Sequence, residues 1–340
     1  MKSIVMGYPG RGVEAWKLQE RDVPKPGPGQ VLVRIRAASV NFRDLRIAQG
    51  AYGGPAKQGL VVLSDGAGEI AALGPGVTRY AVGDRVASTY YPTWNAGPYR
   101  AEVEDVGLGI GDQDGVLAEY ALLSAHGIVR IPDTLGFEQA AALPCAAVTA
   151  WQALFEGSSR LLPGSSVVVQ GTGGVSLFAA QLARATGHRV IATSSSAAKL
   201  ERLGGLGITD RINYRETPQW HEQVLHLTGG QGADLVIDVG GGATLASSLA
   251  ATRGGGRIAV VGLLGGAGPT IDPLPILFRT VTVEGVHVGS LAMFESLLRA
   301  VERSKLQPVI DRVFELPDAA QALAALAAGE HFGKLVIRVP

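Results

Sequence analysis

A single cysteine, Cys145, stands in a chain of 340 residues. Its isolation excludes an internal disulfide framework and any metal site built mainly from thiolates. Net charge is missing as well. Thirty Lys and Arg face 30 Asp and Glu, so no long-range field draws in nucleic acid or an acidic membrane. The expected partner is a small molecule, uncharged or steered only locally. Long apolar runs are absent from the start of the chain, where MKSIVMGYPG is interrupted by Gly7 and Pro9. It is too short for a signal-peptide core or a membrane span and reads as a first strand. The six histidines form no HxxxH or HExxH pair, so surface or core roles suit them. These absences describe a protein of the reducing cytoplasm, with no nucleic acid and no membrane as partner.

Glycine, by contrast, is abundant at 47 residues, and its distribution divides the chain. Single cores stop growing near roughly 250–300 residues, so two domains are expected. Up to about Cys145 the pattern is short β-like runs between Gly and Pro turns: KSIVM, QVLVRIRAASV, VVLSDGAGEIAALG, GDRVAST, GVLAEYALL and GIVRIP. This predicts a twisted, mainly antiparallel β-domain. FEQAAALPCAAVTAWQALFE then spaces apolar residues at helical intervals, broken at Pro144. From Ser166 onward VVVQ, HRVIATS, DRINY, ADLVIDVG, GRIAVVG and VTVEGVHV alternate with helix-like segments. Such alternation predicts an α/β fold with a doubly wound parallel sheet of the Rossmann kind. The tail reads helix, strand, helix, strand, and its closing KLVIRV suits a return to the first domain's sheet.

The stretch VVVQGTGGVS, Val167 to Ser176, carries the first chemical signal. Gly171, Gly173 and Gly174 match a dinucleotide-binding loop together with Thr172 and Val175, while Ser176 replaces its last glycine. The loop follows an apolar strand and opens a helix, whose free N–H groups and positive end suit a pyrophosphate. Gly171 permits the tight turn, Gly173 lets the backbone approach the phosphates, and the altered position governs helix-to-strand packing. The next strand ends in Ser194, Ser195 and Ser196, with Lys199 one turn on, where an NAD site places a carboxylate. Hydroxyls and a cation suit a 2′-phosphate, so NADP(H) is the expected cofactor. Helix capping by the same serines is compatible with that reading.

Beyond the loop, SVNFRDLRIAQGAY, SDGAGEIAALGPGVTRYAVGDRV, LPCAAVTAWQAL, GTGGVSLFAAQLAR, GADLVIDVGG and HFGKLVI occur in an order that resembles the medium-chain dehydrogenase/reductase superfamily. Within it the chain looks like the zinc-free quinone oxidoreductase and enoyl reductase branch. The resemblance implies a GroES-like catalytic domain over residues 1–145, completed by 289–340, and a Rossmann domain over 146–288. Against the zinc-dependent members, Asn41 takes the first ligand position, Ser64 and Asp65 replace the GHE motif, and only Cys145 matches. No metal is therefore expected. The resemblance carries Asn41 and Tyr52 onto the active-site wall, the one to hydrogen-bond a substrate carbonyl or a water, the other as a phenolic proton source or a packed ring. Asp44 joins them as an acid that reacts or that orients Arg43 and backbone groups. It also implies Thr149 by the nicotinamide, and Tyr214 with Ser195 and Lys199 by the adenosine 2′-phosphate. Val261, Gly262 and Leu263 with Val288, Gly289 and Ser290 would fix the carboxamide, and Phe332 and Lys334 would close over the cofactor.

Without zinc a simple carbonyl loses its Lewis acid, whereas a quinone or an enone or enal needs only hydrogen bonds and a proton. The expected function is NADPH-dependent hydride transfer to such an acceptor. An alcohol or carbonyl dehydrogenase lacking catalytic zinc, and a cofactor-binding regulatory protein with little turnover, are the alternatives. Tyr90, Tyr91, Trp94 and Tyr99 suit a flat apolar acceptor or a cover on the β-core. Family members often pair through the cofactor domain, which implies a homodimer or homotetramer. The physiological acceptor is not legible from one sequence.

Overall fold

Period-two patterning and β-branched residues carry the first half of the chain into strands, as the patterning predicts. The computed structural model describes residues 1–52, 54, 56–100, 103, 107–266 and 268–340. Along the chain come β1 (Lys2–Met6), β2 (Trp16–Glu20), β3 (Gln30–Val40), α1 (Phe42–Ala48), β4 (Asp65–Leu73), β5 (Arg85–Ser88), β6 (Tyr120–Ser124) and β7 (Ile128–Arg130). Two helices, α2 (Phe137–Ala141) and α3 (Ala146–Phe155), follow on either side of Pro144, since a proline ring removes the N–H a continuous helix would need.

The second half alternates: β8 (Ser166–Gln170), α4 (Gly174–Ala185), β9 (Arg189–Ser194), α5 (Ala197–Gly205), β10 (Asp210–Asn213), α6 (Trp220–Leu227), β11 (Ala233–Asp238), α7 (Leu245–Ala251), β12 (Thr252–Val260), α8 (Leu274–Arg279) and β13 (Thr282–Gly285). The tail supplies α9 (Leu291–Ser304), β14 (Ile310–Glu315), α10 (Ala319–Ala328) and β15 (Lys334–Arg338). None of the helices among the described residues is long and apolar enough to cross a membrane. The chain divides into two units, Met1–Val148 with Val288–Pro340, and Thr149–His287.

In the second unit β8 to β13 form one parallel sheet in the order β10-β9-β8-β11-β12-β13. Numbered within the sheet this is the doubly wound order, with chain reversal between β8 and β11. All of β8 is buried, which accounts for the unbroken SVVVQ: strands covered on both faces need no polar alternation. Val168, Ile191, Trp220, Val236 and Ile258 form its core. Strand β13 ends at Gly285, three residues short of the apolar run VTVEGVHV, and its last link to β12 is the Val286 N–H donating to the Val260 carbonyl at 3.0 Å.

In the first unit the sheet runs β14-β15-β3-β4-β5-β7, with β6 also paired to β3. Every pairing is antiparallel except β14 with β15. Strand β15 lies against β3 with Leu335 opposite Val40, so the end of the chain completes the sheet begun near its start. Strands β3 and β4 approach closely at Gly68, where a Cβ would stand 2.0 Å from the Arg34 carbonyl oxygen.

Helix α1 is not signalled by an apolar repeat; its polar start, NFRD, is set by local hydrogen bonds. The Asn41 N–H donates to Asp44 Oδ2 at 2.8 Å, half of a capping box. Asp44 Oδ1 stands 3.5 Å from Arg43 Nη1, and that nitrogen donates to the Leu108 carbonyl at 2.8 Å. Burial pushes the Asp44 carboxyl up to about 6, against the opposing pull of Arg43 and of the Asn41 N–H. Its native pKa thus exceeds the unfolded value of about 3.9. The native state holds the extra proton between those values, so stability contributed below that window is lost as pH rises through it. Asp44→Asn keeps a cap acceptor without this titration. Urea unfolding should therefore show the variant gaining on the wild type, by roughly 1–3 kcal/mol, between about pH 4 and pH 7. A difference that does not change with pH would contradict the assignment.

Candidate functional site

The nucleotide loop sits at the carboxyl end of β8, where the strand order reverses and α/β sheets bind ligands. Gly171 has φ +74°, a left-handed conformation that favours glycine, and its N–H donates to the Thr193 carbonyl at 2.8 Å. A Cβ at Gly171 or Gly173 would meet nothing of the protein within 4 Å. The space over the loop is open. Gly173 precedes the first turn of α4, with Gly174 and Val175 presenting helix-end N–H groups. Ser176 is buried and its hydroxyl donates to the Gln170 carbonyl at 2.6 Å, fastening the helix to the strand that precedes the loop.

Two groups that the sequence reading passed over hold the switch point in place. The buried Gln170 amide donates to Ser248 Oγ at 2.7 Å and to Asp238 Oδ2 at 3.2 Å. Its oxygen accepts from the Val239 N–H at 3.2 Å. Asp238, fully buried, accepts from the Gly241 N–H at 2.8 Å and the Thr244 hydroxyl at 2.7 Å. A polar residue closing each of two apolar strands, VVVQ and ADLVID, was the available signal.

At the end of β9, Ser194 is buried and its oxygen accepts from the Ser196 N–H at 3.3 Å. Ser196 in turn caps α5, accepting from the Lys199 N–H at 3.4 Å. Ser195 and Lys199 are both half-buried. Tyr214 is exposed, and its N–H donates to the Ser194 carbonyl at 3.1 Å, which brings it beside the serines. Among the residues expected at the carboxamide, Val261 donates its N–H to the Asp238 carbonyl at 2.9 Å, followed by Gly262 and an exposed Leu263. Val288, at φ +32°, and Gly289 belong to the first unit. Ser290 there caps α9, accepting from the Met293 N–H at 3.3 Å. Thr149, buried on α3, opens the second unit.

The first unit holds a buried polar cluster at the junction of β3, α1, β4 and β15. Asn41, Arg43, Asp44, Asp65 and Lys334 are all buried. The Lys334 ammonium donates to the Val40 carbonyl at 2.9 Å and to Asn41 Oδ1. The Asn41 amide nitrogen has no partner among the described residues. Asp65 accepts from the Ser64 hydroxyl at 2.6 Å and from the Cys145 N–H at 3.1 Å, so it ties β4 to the start of α3. Arg43 lies over the rings of Tyr90 and Tyr52, 4.7 and 5.9 Å from their centroids. Tyr52 itself is 37% exposed, which leaves its phenol near solvent. Phe332 is buried in this unit beside the residues of β15.

Tyr90, Tyr91 and Trp94 are buried and pack on one another and on Tyr99, with ring centroids 4.4–6.1 Å apart. Ala101, Glu102, Glu104, Asp105 and Val106 of the same segment lie outside the described residues.

A catalytic zinc at the expected positions would need Asn41, Ser64 and Cys145 as ligands. The Asn41 oxygen already faces an ammonium, the Ser64 hydroxyl is spent on Asp65, and burial pushes the Cys145 thiol up, away from the thiolate a metal requires. Among the described residues no group of three or more His, Cys, Asp or Glu could hold a metal ion. This donor set does not fit zinc. A dinucleotide does fit the loop: the open positions at Gly171 and Gly173 and the N-terminal turn of α4 are what a pyrophosphate requires.

Two family models match the chain, the alcohol dehydrogenase GroES-like domain over residues 27–133 and the zinc-binding dehydrogenase over 174–303. A zinc-type alcohol dehydrogenase-like protein of Schizosaccharomyces pombe is 40% identical over 334 residues, 96% of each chain. The crystal structure of an NAD-dependent alcohol dehydrogenase, 35% identical, superposes with a TM-score of 0.91 over 100% of both chains. The polyketide synthase GfsB of Streptomyces halstedii is 33% identical over 318 residues, 92% of this chain and 5% of that much larger protein. With a doubly wound nucleotide-binding sheet, a GroES-like β-unit and relatives matching nearly end to end, the chain belongs to the medium-chain dehydrogenase/reductase superfamily.

Proposed function

We propose that this oxidoreductase is a zinc-independent, NADPH-dependent reductase that delivers hydride to a quinone or to a C=C bond conjugated with a carbonyl. The observation that carries the reading is Asn41: a buried amide whose oxygen is engaged by Lys334 and whose nitrogen has no partner among the described residues. A buried donor of that kind is costly unless something accepts from it. The oxygen of an enone takes negative charge when the β-carbon gains hydride, and a preoriented N–H donor stabilises that charge most where water is excluded.

The 171–175 loop with Ser195, Lys199 and Tyr214 would hold the dinucleotide, which would supply a hydride from its nicotinamide ring. Asn41 Nδ2 donates to the acceptor's carbonyl oxygen as the enolate forms. The electron pair of the C=C bond moves toward that oxygen, and the α-carbon then takes a proton from the Tyr52 phenol or from water. Asp44 holds the Asn41 backbone in place. Cys145, with its thiol kept neutral by burial, is a packed group rather than a nucleophile. The similarity to a segment of a polyketide synthase supports an acceptor of the enoyl type. Similarity to an NAD-dependent alcohol dehydrogenase favours a second reading, a carbonyl or alcohol dehydrogenase working without zinc. A homodimer belongs to the same proposal, supported by the edge position of β13 and the exposed Leu274, Leu277 and Phe278 of α8.

Protein treated with chelator should oxidise NADPH in the presence of enones, enals or quinones and be inert toward simple aldehydes and ketones. Activity restricted to alcohols and simple carbonyls, or lost on chelation and restored by zinc, overturns the proposal. For the cofactor, Ser195→Asp introduces a carboxylate at the end of β9 that repels a 2′-phosphate and can bond a ribose hydroxyl. The ratio of kcat/KM for NADPH over NADH should fall by roughly tenfold or more, about 1.4 kcal/mol of discrimination. An unchanged ratio contradicts the assignment of the 2′-phosphate site.

A further inference from the structure

We propose that Lys334 is a positioning residue for Asn41, fixing which end of its amide is presented to the acceptor oxygen; the proposal rests on the reductase reading above. An amide carries an acceptor and a donor at nearly equal reach, and a site that must stabilise a developing oxyanion can use only the donor. Lysine settles the choice, because an ammonium has three donors and no acceptor. With the ammonium bonded to Asn41 Oδ1, the opposite orientation would set NH₂ against NH₃⁺ and give up a charge-assisted hydrogen bond. The amide nitrogen is therefore the free end, and it has no partner among the described residues.

The sheet places the lysine. Lys334 opens β15, whose next residue lies opposite Val40 in the antiparallel pair with β3. Its N–H donates to the Val309 carbonyl at 2.9 Å, and its ammonium also donates to the Val40 carbonyl at 2.9 Å, one residue before Asn41. Gly333, at φ +96°, makes the approach possible, since a Cβ there would stand 2.3 Å from the Val309 oxygen. The side chain is 3% exposed, and no carboxylate oxygen among the described residues stands within salt-bridge distance of it. A buried cation so placed does little for stability, because burying an ammonium costs more than two hydrogen bonds to neutral acceptors return. Its position gives a second advantage to the reaction. Negative charge arising on an oxygen bonded to Asn41 Nδ2 is drawn through the same amide toward a fixed positive charge.

The test is a cycle of Lys334→Met, Lys334→Arg, Asn41→Ala and the Lys334→Met/Asn41→Ala double variant. Each is assayed with whichever acceptor the wild type reduces, alongside NADPH affinity by fluorescence. Lys334→Met should lower kcat by roughly 10²–10³-fold, the scale of losing one oxyanion donor, with NADPH affinity within about twofold of wild type and the fold retained. Lys334→Arg should recover part of the loss, and the double variant should be no slower than Asn41→Ala alone. A loss of NADPH affinity with kcat preserved would instead make Lys334 a cofactor contact, and additive losses would remove the link to Asn41; either result overturns the proposal. A readout independent of turnover separates it from the reductase reading. The Asn41 side-chain amide ¹⁵N resonance, identified by its disappearance in Asn41→Asp, should shift or split in Lys334→Met while remaining single in the wild type. An unaltered resonance overturns the positioning role even if the enzyme reduces enones, and an altered one upholds it even if the acceptor is of another class.

Discussion

The antiparallel register of β15 on β3 is the constraint on which the first unit depends. It joins the last strand of the chain to one that begins 304 positions earlier, at Gln30 against Lys334, and it delivers a buried ammonium to the one amide at the head of α1. Asp44 fixes the backbone of Asn41 and Lys334 fixes its side chain. With both bonds made, a neutral residue has a single orientation, and its amide nitrogen is left as the donor end, without a partner among the described residues. The same cation engages the Asn41 oxygen, the one atom of that side chain able to ligate a metal.

The nucleotide unit obeys a different logic. Parallel strands covered on both faces leave polar groups to gather at the strand ends, and at the carboxyl ends Gln170, Asp238 and Ser248 form one closed network. That network holds the ends of β8 and β11 at the reversal of strand order, beside the glycine loop. Ser176 contributes through its hydroxyl bond to the Gln170 carbonyl. The altered glycine position thus anchors the helix whose first turn would face the phosphates.

Much of this was legible in the sequence because it depends on local chemistry. The apolar run before Gly171, the alternation after Ser166 and the break at Pro144 each reflect a period or a breaker that acts over a few residues. Helix α1 was hidden because its start is polar and its stability comes from a cap and from tertiary burial. Among the three serines that close β9 and follow it, patterning could not say which one caps the helix, and the structure assigns that bond to Ser196. The contact of Lys334 with Asn41 spans 293 positions, and no periodicity connects residues that far apart. The resemblance sets Lys334 of HFGKLVI over the cofactor, and its bond to Asn41 emerges only from the register of β15 on β3.

The central claim is that an amide hydrogen bond, rather than a metal, stabilises the charge that hydride transfer creates. It is tested most directly by the single-turnover rate of NADPH oxidation, followed by absorbance with a saturating activated-alkene acceptor, in Asn41→Ala. The account predicts a hydride-transfer step slower by roughly 10²–10³-fold with NADPH binding unchanged. A step as fast as that of the wild type would contradict it.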